Sequence, residues 1–296
     1  MLRNRDEQQA LDRIREIVES QNPELISRIP GGLSFQVMLC QLSGNYSSFS
    51  TLQRNQLEAR TGFYSTRGEV GYLEDLKVFA DRYLLALRES TMCIRNQPET
   101  ESVETLLEST VEGYLDEVFV WNSDKIWTWT PLFSGCLVLI VSPFVETMRK
   151  QLAHRHHLHK TGYPHSNFDF PECEMSFLKA PLTLQGCALP HRSWVETSDE
   201  ICRKSDSIDF DIALVSCGSY AQALAHHIYK SGRKAMVAGG VLQTLFGIKG
   251  NRWSRVKGND VSEWYNEFWT NPSIEETPPK SEFRPEYDNF WERAPT

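Results

Sequence analysis

One stretch limits the fold more than any other. Residues 210–238 read FDIALVSCGSYAQALAHHIYKSGRKAMVA. Two short apolar runs, at 210–217 and 234–238, flank a segment of helical spacing at 221–230, and glycine-bearing turns separate the three. Short apolar runs without polar alternation are strands buried on both faces, the kind found in parallel sheets covered by helices. The spacing is that of one β-α-β unit. A third run, CLVLIV at 136–141, sits between Gly135 and Ser142-Pro143 and has the same character. The expected class is α/β, Rossmann-like, with a mostly parallel sheet flanked by helices.

The remaining segments are read with less apolar signal. Residues 7–20 read as an amphipathic helix and 33–42 as a strand, followed by a small polar loop at 43–48. Helices are expected over 49–60, 72–89, 99–115 and 193–204, with short strand character at 91–95. Ser142 suits an N-cap and Pro143 the first position of a helix that runs to His159. Loop and short strand are expected over 163–174. This divides the chain into an N-terminal helical segment (1–30), an α/β domain (31–258) and an acidic, Pro- and aromatic-rich tail (259–296).

Composition narrows the function classes. With 296 residues, 40% hydrophobic, the chain has ample material for a core, which excludes disordered and collagen-like classes. No apolar run approaches the ~20 residues of a membrane helix. The N-terminal MLRNRDEQQALDR lacks the apolar stretch of a signal peptide, so a cytoplasmic location without a transmembrane segment is expected. A net charge of −8 argues against nucleic acid as a partner. The seven cysteines form no C-x-x-C pair, so reduced thiols are expected rather than a disulfide framework or a zinc site.

The charge is uneven. Residues 212–258 carry seven Lys and Arg and no Asp or Glu, whereas 259–296 carry nine acids against three bases. In parallel sheets ligands bind at the carboxyl ends of strands. Those ends are Ser142-Pro143, Cys217-Gly218-Ser219 and Gly239-Gly240. Gly218, Ser219 and Tyr220 open a helix whose backbone N–H groups suit an anion, although a tight structural turn explains the same residues. They match neither G-x-G-x-x-G nor the G-x-S-x-G elbow. Gly239 and Gly240 allow close backbone approach, Gln243 follows on a short helix, and Lys249 and Arg252 make a cationic loop. No G-K-[ST] is present, so this is not a P-loop. After Ser142, Glu146 and Thr147 fall in the first turn, and Thr147, Gln151 and Arg155 share one helix face. His154 and His157 stand at i, i+3, not the i, i+4 of a helical zinc pair, so an exposed basic helix end is expected and no metal.

Residues 209–253 closely resemble the C-terminal signature of bacterial GT-D-fold glycosyltransferase-like proteins. The pattern runs strand, G-x-Y, helix, G-K-x-A, strand, then G-G-x-x-Q-x-x-F-G-I-K-G-x-R-W, here GGVLQTLFGIKGNRW from Gly239. Residues 136–155 resemble the family's strand, S-P-F and x-E-T helix, and Gly62-Phe63 and 83–86 fall at comparable elements. The resemblance implies a GT-D-like single domain and transfer of a sugar from a nucleotide-sugar donor to a glycan or other acceptor, often in polysaccharide biosynthesis. It places Ser142, Thr147, Arg155, Gly218, Ser219, Tyr220, Gly239, Gly240, Gln243, Lys249 and Arg252 at the substrate, with Glu146 as the candidate base. Active members hold Mn²⁺ or Mg²⁺ on an acidic motif after the first strand. The loop matched to it, 41–46, has no Asp or Glu. The expectation is therefore that no metal cofactor is required. The alternative is a non-catalytic nucleotide-sugar-binding or scaffold protein that has lost the acidic motif.

Overall fold

The apolar runs do become strands, and their burial explains the lack of alternation. A computed structural model describes residues 7–95, 111–114, 130–159, 170–250, 253 and 262–279. Chain order gives α1 (Glu7–Glu19), β1 (Leu25–Ile29), α2 (Gly32–Ser43), α3 (Thr51–Thr61), α4 (Gly68–Arg88), β2 (Met92–Arg95) and β3 (Val111–Tyr114). There follow β4 (Leu137–Ser142), α5 (Val145–Gln151), β5 (Glu174–Lys179), α6 (Trp194–Asp206), β6 (Ile212–Val215), α7 (Ala221–Lys230) and β7 (Lys234–Val237). The strands form one sheet in the order β3-β2-β1-β7-β6-β4-β5, and every pairing is parallel. Successive residues of a strand face opposite sides of a sheet. Leu139, Val141, Ala213, Val215, Ala235 and Val237 accordingly pack under α2, α3, α4, α6 and α7. Val138, Ile140, Ile212, Leu214 and Met236 face the other layer, with Ile14 and Ile17 of α1 and the aromatics Trp253, Trp264 and Trp269. The protein is thus α/β and Rossmann-like, a parallel sheet between two layers.

Four segments differ from the sequence reading. Residues 33–42 are not a strand: they lie in α2, which buries Ser34, Phe35, Val37, Met38 and Cys40, a helical stripe. The apolar residues at 33, 35 and 37 mimic a period of two, but Gly31 at the N-cap and Gly44 in the left-handed region (φ +67°) bracket a helix. The first strand is instead β1, inside the segment read as helical. Its sequence LISRI hides it, because Ser27 and Arg28 interrupt the apolar run. Consequently the division at residue 30 cuts through the sheet, and the loop after the first strand is Pro30-Gly31, not 41–46. The described part of the 99–115 reading, Val111–Tyr114, is strand, and 99–110 lie outside the described residues. The helix after β4 begins at Val145 with Phe144 as N-cap and stops at Gln151, well short of His159. Ser142 Oγ still turns the chain, accepting from Phe144 N at 3.2 Å.

The described part of the tail, 262–279, is integrated with the domain. Glu276 is fully buried, and its carboxylate accepts from Glu146 N (2.8 Å), Thr147 N (3.1 Å) and Thr147 Oγ1 (2.5 Å). The positive end of α5 is where a carboxylate is favoured. Among the described residues, no helix is long and apolar enough to cross a membrane.

Candidate active site

The sheet reverses its order of growth at β1 and β7, and ligands in such sheets bind in the crevice at that point. Here the carboxyl ends of β1, β6 and β7 enclose a cavity of ≈ 220 Å³. Gly218 and Gly239 enter it in the left-handed region, with φ of +59° and +66°. At Gly239 the reason is also steric: an added Cβ would lie 2.1 Å from Arg28 Nη1. The Arg28 guanidinium thus lies close against the Gly239 backbone. Arg60, in the last turn of α3, lines the same cavity. Gln222, buried on α7, donates its amide to the Arg28 carbonyl and fixes the end of β1. Two guanidinium groups and glycine backbone line this cleft, and among the described residues no carboxylate does.

Two further cavities continue along the carboxyl edge. One of ≈ 170 Å³ shares Arg60, Thr61, Gly218 and Gly240 with the first and is closed by Phe144, Gln243 and Trp253. It also lacks a carboxylate among the described residues. The next, of ≈ 650 Å³, shares Pro143, Pro181 and Leu182 with the second. The three lie in a row along the carboxyl edge from β1 to β5, each sharing lining residues with the next.

The structure brings some of the expected residues together and separates others. Gly218, Ser219, Gly239 and Gly240 meet at the first cavity, and Tyr220 and Gln243 border the second. The side chains of Ser219 and Tyr220 serve the fold. Ser219 Oγ accepts from Trp194 Nε1 at 2.9 Å, while Tyr220 stacks on Trp194 at 9° and hydrogen bonds to Thr183 Oγ1 at 2.7 Å. Burial pushes the Tyr83 and Tyr220 hydroxyls and the Cys217 thiol upward, so none supplies an anionic nucleophile near neutral pH. Gln243 Nε2 donates to the Ile248 and Lys249 carbonyls and so pins that turn.

Ser142, Glu146, Thr147, Arg155 and Lys249 line none of the three cavities. Thr147 is held by Glu276 and by Ser273 N, at 3.0 Å. Glu146 is exposed. Arg155 pairs with Glu172 at 3.6 Å, and Lys249 lies over the Tyr265 ring at 5.6 Å. Arg252 lies outside the described residues. The described bases of the window, Lys230, Arg233, Lys234 and Lys249, do not line the cleft either. Lys230 pairs with Glu89, Arg233 covers the Phe210 ring, and Lys234 Nζ donates to the Val18 carbonyl. Of the histidine run, His154, His156 and His157 are exposed, His157 stacking on Phe268 at 4.7 Å, whereas His159 is buried with Nε2 2.8 Å from the Leu245 carbonyl. Burial lowers the His159 pKa to about 4.

The cations of the cleft, Arg28 and Arg60, come from the N-terminal half. The sequence signals for them are slight: Arg28 precedes Pro30-Gly31-Gly32, and Arg60 precedes the helix-ending Gly62. Among the described residues no group of three His, Cys, Asp or Glu side chains gathers to hold a metal. Among the described residues, the first two cavities offer guanidinium and neutral oxygen, whereas a divalent cation is normally held by at least one carboxylate.

No family model and no curated protein matches the chain. One solved structure, described as a new glycosyltransferase (DUF1792) from Streptococcus sanguinis, aligns over 92% of this chain and 94% of its own, with a TM-score of 0.45 and 10% identity. A likeness at that level assigns no activity to this chain.

Proposed function

We propose that this chain is a glycosyltransferase-like protein whose cationic cleft holds the diphosphate of a nucleotide-sugar donor. The observation that carries the reading is the pairing of Arg28 and Arg60 with the Gly218, Gly239 and Gly240 backbone at the switch point of a parallel sheet. Guanidinium groups bind phosphate oxygens through paired N–H donors, and bare glycine backbone permits close approach. The G-G-x-x-Q-x-x-F-G-I-K-G-x-R-W resemblance supports the same class. In transfer, the bond from the anomeric carbon to the diphosphate oxygen breaks and a bond to an acceptor hydroxyl oxygen forms. The acceptor proton goes to solvent or a base, and the nucleoside diphosphate leaves with its charge met by the two arginines. That arrangement stabilises a leaving group without a metal. A second reading, a binding protein without transfer, is favoured by the position of Glu146 outside the cavities.

Titration of the full chain with UDP, GDP, CDP and their sugars is the test. Binding by at least one is expected, weakened more than about tenfold in Arg28→Ala, because charge-assisted hydrogen bonds are worth ~1.5–3 kcal/mol. Sugar transfer that persists in EDTA selects the enzyme. Binding without transfer to any acceptor selects the second reading. Failure of every nucleotide to bind refutes both.

A further inference from the structure

A cavity of ≈ 650 Å³ lies at the ends of β4 and β5, and the chemistry of its lining differs from that of the cleft. Among the described residues the cleft is lined by two arginines and no carboxylate, whereas this cavity is lined by Lys179 and Lys204 together with Glu200 and Glu275. Its charges balance, so it has no preference for an anion. Glu200 is the hub. One oxygen lies 2.6 Å from His191 Nε2 and the other 2.5 Å from Lys204 Nζ. Each carboxylate oxygen has two lone pairs, so each retains one for a ligand hydroxyl. Between these polar groups the walls are the hydrocarbon of prolines, alanines and Leu182.

The cavity is a built site. One wall is the segment bearing Glu275, Thr277 and Pro279, and the buried Glu276 carboxylate fastens that segment to α5 through three hydrogen bonds. Its volume lies in the range of small-molecule sites. It shares Pro143, Pro181 and Leu182 with the second cavity, which in turn shares Arg60, Thr61, Gly218 and Gly240 with the cleft.

We infer that this cavity is the acceptor site and takes a neutral saccharide, whose hydroxyls meet Glu200 and Lys204 and whose C–H faces meet the proline and alanine walls. As an acceptor site it rests on the donor reading above. Donor and acceptor then approach along the row of cavities from opposite ends, the anion at β1–β7 and the neutral glycan at β4–β5. An anionic amphiphile would instead require uncompensated cations here, and each lysine is matched by a glutamate.

The test is saturation-transfer NMR on the full chain with maltose, cellobiose, lactose and sucrose, with and without a nucleoside diphosphate. At least one saccharide is expected to bind. Ala188→Trp fills the cavity from an exposed position, and Glu200→Gln removes the charged acceptor. Each is expected to weaken saccharide binding about tenfold, the scale of a charged hydrogen bond. Nucleotide affinity is expected to change less than about twofold, because Arg28 is untouched. Arg28→Ala is expected to give the opposite pattern. Absence of binding by all four saccharides, or binding unchanged in both Ala188→Trp and Glu200→Gln, overturns the proposal. Saccharide bound in the cavity of a chain that binds no nucleotide overturns the donor reading and the acceptor role with it, while upholding the saccharide site.

Discussion

Arg28 and Gly239 compete for one space: a Cβ at Gly239 would meet the Arg28 guanidinium and displace it. In Gly239→Ala the new methyl group would overlap the guanidinium, and an L-residue at φ +66° adds about 1–2 kcal/mol of strain. The variant is expected to lose nucleotide affinity through displacement of Arg28, and to unfold at lower urea. Calorimetric titration and a urea melt check the two effects separately. His159 gives the second prediction at this scale. Its folded pKa, about 4, lies below the usual value because burial disfavours the imidazolium. The unfolded chain therefore takes up a proton near pH 6.5 that the folded chain refuses. Stability is full above that pH, falls as the pH drops toward 4, and levels off below. The whole effect is about 3 kcal/mol. Urea midpoints measured between pH 7 and pH 4 should show the slope, and His159→Gln should flatten it.

The helices carry the cleft's contacts at their ends. At the N-terminus of α3, Ser50 Oγ accepts from Gln53 N, and Gln53 Oε1 accepts from Ser50 N at 2.8 Å, a reciprocal capping box. Arg60 sits three turns away in the last turn. Ser50→Ala is expected to cost about 1 kcal/mol in a urea melt. Nucleotide affinity should stay unchanged, since the frayed turn lies at the far end. The same scale shows how much the sequence discloses. Strands β4, β6 and β7 and helices α6 and α7 are legible, because burial on both faces leaves continuous apolar runs and Ser193 or Gly218 marks the turns. Strand β1 is not legible, since Ser27 is enclosed by neighbours and Arg28 reaches the cleft, so neither looks apolar. Glycine at a strand end marks a tight turn, so the position of Gly218, Gly239 and Gly240 at the carboxyl edge of the sheet is legible. The charges that accompany them come from elements almost two hundred residues upstream. Only the β1–β7 pairing, invisible to local pattern, brings Arg28 beside Gly239.

On the scale of the whole molecule, the described tail is a structural member. Deleting 273–296 removes Glu276 and leaves Glu146 N, Thr147 N and Thr147 Oγ1 without their acceptor, at a cost of about 2–4 kcal/mol. Such a variant should melt earlier and still bind nucleotide, because the cleft is made by β1, β6 and β7. Thermal melts with and without UDP or GDP would check this. The strand order carries one more consequence, which concerns synthesis. The chain lays down β1 and β2 early and β4 to β6 much later, and β7 is the keystone that joins the two half-sheets. Until Lys234 to Val237 leave the ribosome, the inner edges of β1 and β6 have no partner in the sheet. Translation at about 5–20 residues per second leaves the edge of β1 open on the order of ten seconds after β2 is made. An open strand edge is a template for wrong pairing. The cleft, ringed by the ends of the keystone and its two neighbours, comes into being at the moment that hazard ends, so a nascent chain gains its cleft and loses its vulnerability in one step.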